Sequence, residues 1–525
     1  MEGEKYYLGF DFSTQQIKLI AVDDNLKVVF EGHVKFDTDL PEFGTSGGAC
    51  VHDDKVTVTA PAAMWVKALD MLLDQMKSEG FDFSKVAGIS GDGQQHGSVY
   101  WKKGARNVLG NMQPDKSMYE QLKDCFSLKD SPIWQDASTG SQIIQLQDAI
   151  GGAMELARLT GSRGFERYTG TQIMKIYQTN REAYDNTERI SLISSFAASL
   201  FMGDYAPIDF GDGSGMNLLD IRNKVWASKC LEACGPCLGD KLGEPVPSKT
   251  VVGNVSSYMS RKYGFPSTCK VVAFTGDNMC SLAGLAPRKG DIMVSMGSSD
   301  VILIIVTEPP STLHPCANIL IDNFDDYFLL IGFKNGSLTR ENVMNRCAGS
   351  WKKFDEMLLK TPPGNNGNIG IYFDKKEIQP VAMGTFRFNE NDERVESFPP
   401  EVEVRAVLEG QFLARLMYAK LCGLQIGPES RVIATGGASA NQAILQIIAD
   451  IFNTSVYITD VPNSAALGGC YRAKHALMPE GTPYSEVVKG LPEPTCACKH
   501  TPGLEKVYMP MLERYKKLEE KVAAM

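Results

Sequence analysis

One order of elements occurs twice in this chain, and it limits the fold more than any single motif. In the first half the apolar strand Tyr7-Leu-Gly-Phe-Asp11-Phe meets the hydroxyl pair Ser13-Thr14 and returns through 17–22 and then 28–34. Short polar turns separate these runs, which predicts an antiparallel meander. Residues 64–80 place Met64, Ala68, Leu69, Leu72, Leu73 and Met76 at helical spacing. A strand at 85–90 follows and ends in Gly91-Asp-Gly-Gln-Gln-His-Gly97. In the second half a strand from Asp291 runs into Gly297-Ser298-Ser299-Asp300 and returns through 301–306. A helix near 404–424 then precedes a strand at 431–435 that ends in Gly436-Gly437-Ala-Ser-Ala-Asn441. Hairpin, helix, and strand with a glycine-rich end, twice over, predict a duplicated α/β domain. Length agrees, because 525 residues exceed the ~300 at which a single core stops growing.

Composition excludes several functions. A formal net charge of −10 and the lack of any Lys/Arg run argue against nucleic-acid binding. No stretch of about 18 apolar residues is present, and the start has no basic segment leading into a long apolar one, so neither a membrane span nor a signal peptide is expected. The 13 cysteines are scattered. Cys230, Cys234 and Cys237 come nearest to a cluster but have no neighbouring histidines, so the reading is reduced thiols in a cytoplasmic protein rather than a zinc site.

The nucleotide-binding devices most easily seen in a sequence are missing. There is no GxxxxGK[ST] loop and no GxGxxG placed after a strand. Asp209-Phe-Gly211 spells a protein-kinase triplet without its companion motifs. Four other segments carry the chemistry. Gly9-Phe-Asp11-Phe-Ser13-Thr14 offers backbone amides and hydroxyls for phosphate oxygens, with an Asp suited to a hydrated magnesium ion. Phe274-Thr-Gly-Asp277-Asn278 puts an Asp at a strand end, where a general base for a hydroxyl can sit. Gly297-Ser298-Ser299 repeats the hydroxyl-bearing turn, and Gly436-Gly437 lets a flat ring approach the backbone. Taken alone, each also suits an ordinary hairpin, a helix N-cap or a strand-to-helix connection.

Together and in this order, the four segments resemble the actin, hexokinase and heat-shock ATPase superfamily and, more narrowly, the FGGY carbohydrate kinases. Leu40-Pro-Glu-Phe-Gly44, Gly93-Gln-Gln-His-Gly97, Phe165-Glu-Arg167-Tyr-Thr-Gly170, Ile208-Asp-Phe-Gly-Asp-Gly-Ser-Gly215 and Phe333-Lys-Asn-Gly-Ser337 agree with the xylulose kinase branch of that family. The resemblance implies a two-lobed, actin/hexokinase-like (ribonuclease H-like) α/β fold with a central ATP cleft. It implies domains at 1–287 (sugar site and first phosphate loop) and 288–525 (second phosphate loop and adenosine site). Asp277 then corresponds to the catalytic base, and Asp11 to the magnesium residue acting through water. Ser13, Thr14, Gly297, Ser298 and Ser299 correspond to phosphate-binding positions, and Gly436, Gly437 and Asn441 to the adenosine site. Trp351 belongs near the nucleotide or is a core-anchoring aromatic. Gln95, His96, Arg167, Asp277 and Asn278 correspond to the sugar-contacting positions, and their mix of donors and acceptors suits a row of hydroxyls plus a carbonyl. Asp136, in Ile133-Trp-Gln-Asp, is expected to be structural. Ser298 departs from the family, which usually has Thr there.

The implied activity is phosphorylation of D-xylulose to D-xylulose 5-phosphate with ATP and Mg²⁺, in a monomer or homodimer. The alternatives are a kinase of ribulose, glycerol or another polyol, and a sugar- or nucleotide-binding protein without catalysis.

Overall fold

The structure is a computed structural model that describes residues 4–297, 299–306, 308, 317–322, 326–459 and 461–525. The chain divides into two units. The first comprises Met1–Pro287, Ile319–Tyr327 and Val461–Leu491, and the second Arg288–Asn318, Phe328–Asp460 and Pro492–Met525. Two later stretches therefore belong with the first half, which a single cut at 287 does not describe.

In the first unit Tyr6–Phe12, Gln16–Val22 and Val28–Lys35 form the expected antiparallel meander. Val86–Gly93 lies parallel beside Tyr6–Phe12. Lys270–Val272 and then Thr275–Gly276 pair parallel with the other edge of Val86–Gly93. In the second unit Asp291–Met296 and Asp300–Val306 form the matching antiparallel hairpin. Arg431–Thr435 lies parallel beside Asp291–Met296, as Val86–Gly93 does beside Tyr6–Phe12. The duplication read from the sequence is thus present in the strand pairing. Among the described residues no helix is long and apolar enough to cross a membrane.

Strand Tyr6–Phe12 is buried along nearly its whole length, which is why it reads as an apolar run rather than an alternation. Its Leu8, Phe10 and Phe12 join Trp65, Leu69 and Leu72 of helix Ala62–Ser78 in one core. Asp11, only 4% exposed, is the polar exception at the end of the strand.

Helix Ser464–Ala476 packs against this sheet and against helix Asp277–Leu285 at backbone contact distance. A Cβ on Gly9 would fall 1.8 Å from the Ala466 carbonyl oxygen, and one on Gly468 would fall 1.8 Å from that of Cys280. Gly284 meets the Ser464 carbonyl in the same way. No rotamer relieves a clash between a Cβ and a backbone atom, so the cost exceeds the ~1–3 kcal/mol typical of overpacking. We therefore expect Gly468→Ala to lower the melting temperature by at least about 4 °C. Gly427→Ala, whose Cβ meets nothing within 4 Å, should leave it unchanged. Thermal melts of the two variants check the packing.

Candidate active site

The parallel strands of the first unit bring three carboxylates together at their C-terminal ends, where open α/β sheets take their ligands. Asp11, Asp92 and Thr275 share one rung of the sheet. Two residues beyond Thr275, Asp277 opens helix Asp277–Leu285. Asp11 accepts a hydrogen bond from the Ser13 hydroxyl and pairs with Lys18 at 3.3 Å across the hairpin. Asp92 is fully buried, and neither of its oxygens has a hydrogen-bond partner among the described residues. Burial, then the charges of Asp11 and Asp277, push its carboxyl well above the usual range. The same two causes, burial and the Asp11 charge, push Asp277 up to about 7, against a hydrogen bond from the Asn278 amide that pulls it down. Asp92 was missed in the sequence; its one local signal is an Asp between two glycines at a strand end.

The sugar-site candidates lie beside this cluster. The Asn278 side-chain amide donates to Asp277 Oδ1 at 3.2 Å and to Gln95 Oε1 at 2.9 Å, tying three of the expected residues into one chain. Gln94, also buried, has neither amide atom paired among the described residues. His96 takes a positive φ of 73°, uncommon outside glycine. The Thr169 hydroxyl fixes its carbonyl, and its ring stacks on Tyr168 at 4.5 Å. His96 Nδ1 lies 2.9 Å from the Gly215 carbonyl oxygen, so Nδ1 carries the hydrogen and Nε2 is left as an acceptor. Burial, followed by the Arg167 charge, pushes the ring down to about 3. Arg167 is exposed and sits 5.9 Å over the face of Trp134, whose indole N–H donates to the Thr14 hydroxyl at 2.9 Å. Trp134 was also missed, although it stands two residues before Asp136. Asp136 is buried and accepts from the backbone of Val58 and Ser138 and from Gln172, which is a structural set of partners.

The donor set fits a hydrated magnesium ion at Asp11. Among the described residues no three His, Cys, Asp or Glu side chains form a cage for a bare ion. A buried carboxylate beside hydroxyls suits an ion that keeps its waters.

In the second unit Ser298 lies outside the described residues. Its neighbours Gly297 and Ser299 form the expected turn, and Gly297 accepts a hydrogen bond from the Ser337 amide. Behind the turn Asp300 is fully buried and receives both Nη groups of Arg340 at 2.8 Å and Nη2 of Arg415 at 2.9 Å. Burial raises its carboxyl, and the two guanidiniums more than reverse that, leaving it below the usual range. Gly436 has φ 84°, and a Cβ there would lie 2.6 Å from the Met296 carbonyl oxygen. Gly437 beside it is exposed. Asn441 caps helix Gln442–Phe452 through Oδ1 and donates to Asp355 at 3.1 Å. Asp355, which the sequence did not single out, stands one turn beyond the exposed Trp351 on helix Trp351–Leu358.

Residues 122–284 match the N-terminal domain of the FGGY family of carbohydrate kinases, and residues 293–477 match its C-terminal domain. The xylulose kinase of Rattus norvegicus is 52% identical over 524 residues, covering 99% of this chain and 97% of the relative. The chain belongs to the FGGY family. Xylulose kinase 2 of Arabidopsis thaliana is 43% identical over 490 residues, covering 90% of this chain and 87% of the relative. The ligand-bound xylulose kinase structure from Lactobacillus acidophilus matches with a TM-score of 0.79 and 17% identity, over 99% of both chains. The fold is therefore that of the FGGY sugar kinases, of actin/hexokinase type, and the chain is a carbohydrate kinase.

The His96 geometry makes a prediction that needs no substrate. In nitrogen-15 NMR of histidine-labelled protein, His96 should stay neutral with Nδ1 protonated from pH 8 to about pH 4. The unfolded chain takes up this proton near 6.5 and the folded ring refuses it, so His96 withdraws stability as pH falls from 6.5 toward about 3. Titration of this ring near 6.5 would contradict the assignment.

Proposed function

We propose that the chain transfers the γ-phosphoryl group of ATP to the terminal hydroxyl of D-xylulose, with Asp277 as the general base. The observation that carries this reading is the linked set Asp277, Asn278 and Gln95 in a chain half identical, end to end, to a xylulose kinase.

Asp277 accepts the proton of the attacking hydroxyl. With its carboxyl pushed to about 7, it lies near the working pH, where a base is both ionised and basic enough to be effective. Asn278 holds Oδ1 of Asp277, and Gln95 holds Asn278, so the base is aimed before substrate arrives. His96 Nε2 accepts from a sugar hydroxyl, and Arg167 donates to sugar oxygens. Asp11 would hold a magnesium ion, which would supply neutralisation of phosphate charge. Ser13, Thr14, Gly297, Ser298 and Ser299 are assigned to the phosphates, and Gly436, Gly437, Asn441 and Trp351 to the adenosine. Phosphoryl transfer has a loose transition state, so this positioning and charge neutralisation carry most of the acceleration.

Coupled-assay turnover with D-xylulose tests the assignment. Asp277→Asn should lower kcat by about 10²–10⁴-fold while the sugar KM moves only severalfold. In the wild type, kcat/KM should fall tenfold per pH unit below about 7, because only the ionised carboxylate accepts the proton. Full activity in Asp277→Asn would remove Asp277 as base. A clear preference for glycerol or ribulose over D-xylulose would replace the substrate, and no turnover with any polyol would leave a binding protein.

A further inference from the structure

Arg472 is 3% exposed, on helix Ser464–Ala476 in the first unit, and every acceptor it contacts is neutral. Its Nη1 donates to the Ser90 hydroxyl at 3.1 Å and the Gly91 carbonyl at 3.2 Å. Its Nη2 donates to the carbonyls of Ser248 at 2.7 Å and Ala273 at 2.9 Å. Ser90 in turn donates to the same Ala273 carbonyl at 3.1 Å.

These acceptors mark the site. Gly91 immediately precedes the unpartnered Asp92, and Ala273 lies four residues before Asp277 with only Phe274, Thr275 and Gly276 between them. Ser248 fixes Asp209 through its hydroxyl, and Asp209 caps the turn that carries Asp212. A Cβ on Gly276 would meet the Asp212 carboxylate at 3.0 Å, so this turn packs directly against the backbone presenting Asp277. One planar guanidinium thus joins three segments that are distant in sequence and converge on the carboxylates.

Burying a guanidinium costs several kcal/mol unless its donors are satisfied. Four neutral acceptors satisfy it without neutralising its charge. Beside it the first unit gathers Asp92, Asp209 and Asp212, all fully buried. Burial raises the Asp209 carboxyl, and the Arg472 charge is the first influence pulling it back. Helix Ser464–Ala476 is in turn locked to the sheet through Gly469, where a Cβ would lie 2.9 Å from Gly9 Cα and 3.0 Å from Gly91 Cα.

We propose that Arg472 is a positioning residue for phosphoryl transfer, fixing the strand ends that present Asp92 and Asp277. The proposal rests on the kinase reading for its catalytic consequence, while its structural part stands apart from that reading. A displacement of about 1 Å at a reacting group costs on the order of 10²-fold in rate. A lysine keeps the charge but cannot span the four acceptors.

The test compares Arg472→Lys and Ser90→Ala with wild type in two measurements. In steady-state kinetics per folded molecule, Arg472→Lys should lose about 10–100-fold in kcat with D-xylulose, with the ATP KM within about threefold. Ser90→Ala, which removes one acceptor and leaves the core intact, should lose severalfold. In hydrogen–deuterium exchange, both variants should exchange faster at 88–96, 246–250 and 272–280, and unchanged in helix Ala62–Ser78. If Arg472→Lys does not fold, the same pattern in Ser90→Ala decides. Unchanged exchange in those segments, or a kcat within twofold of wild type, would overturn the proposal. A wild type that phosphorylates no sugar would fail the kinase reading alone, and the exchange pattern would still show whether Arg472 holds the strand ends.

Discussion

Carboxylates that share a buried strand end repel one another, and the first unit has to hold Asp11, Asp92 and Asp277 together despite that repulsion. Charge alone cannot do it, since the ion pair visible there is the 3.3 Å contact of Lys18 with Asp11. The backbone does it instead. Helix Ser464–Ala476 presses through its own Gly469 on the sheet at Gly9 and Gly91, closer than any side chain permits, and the contact with helix Asp277–Leu285 through Gly284 and Gly468 is equally close. The strand ends are therefore braced from behind. A carboxylate held in a poorly solvated place has its protonation raised, and this brings Asp277 to a proton affinity useful for accepting from an alcohol.

The two copies of the duplicated hairpin use their aspartates in opposite ways. In the first, Asp11 precedes the turn and is held by the Ser13 hydroxyl and by the Lys18 ammonium. In the second, Asp300 follows the turn and is clamped by Arg340 and Arg415, so its carboxylate anchors the loop from behind. The same strand-turn-strand geometry thus leaves its aspartate beside one ammonium in one unit and ties it to two guanidiniums in the other.

Much of this was legible in the sequence because it is local. The meander, the second hairpin and the strands at Val86–Gly93 and Arg431–Thr435 follow from apolar periodicity and from glycine and hydroxyl turns. Asp11, Asp277, His96 and Asn278 stand in short patterned turns, so resemblance could single them out. What stayed hidden depends on long-range contact. That Val461–Leu491 belongs to the first unit is visible only in packing. Asp92 gains significance from sharing a rung with Asp11, Trp134 from its bond to Thr14, and Asp355 from its bond to Asn441. None of these pairings has a signature along the chain.

The central claim is that Asp277 removes a proton while the phosphoryl group passes directly from ATP to the sugar. The stereochemistry at phosphorus tests it most directly, using ATP made chiral at the γ-phosphorus with oxygen isotopes and D-xylulose as acceptor. A single in-line transfer predicts inversion of configuration in the xylulose phosphate. Retention would mean that a side chain carries the phosphoryl group on the way, which would contradict direct transfer to the sugar.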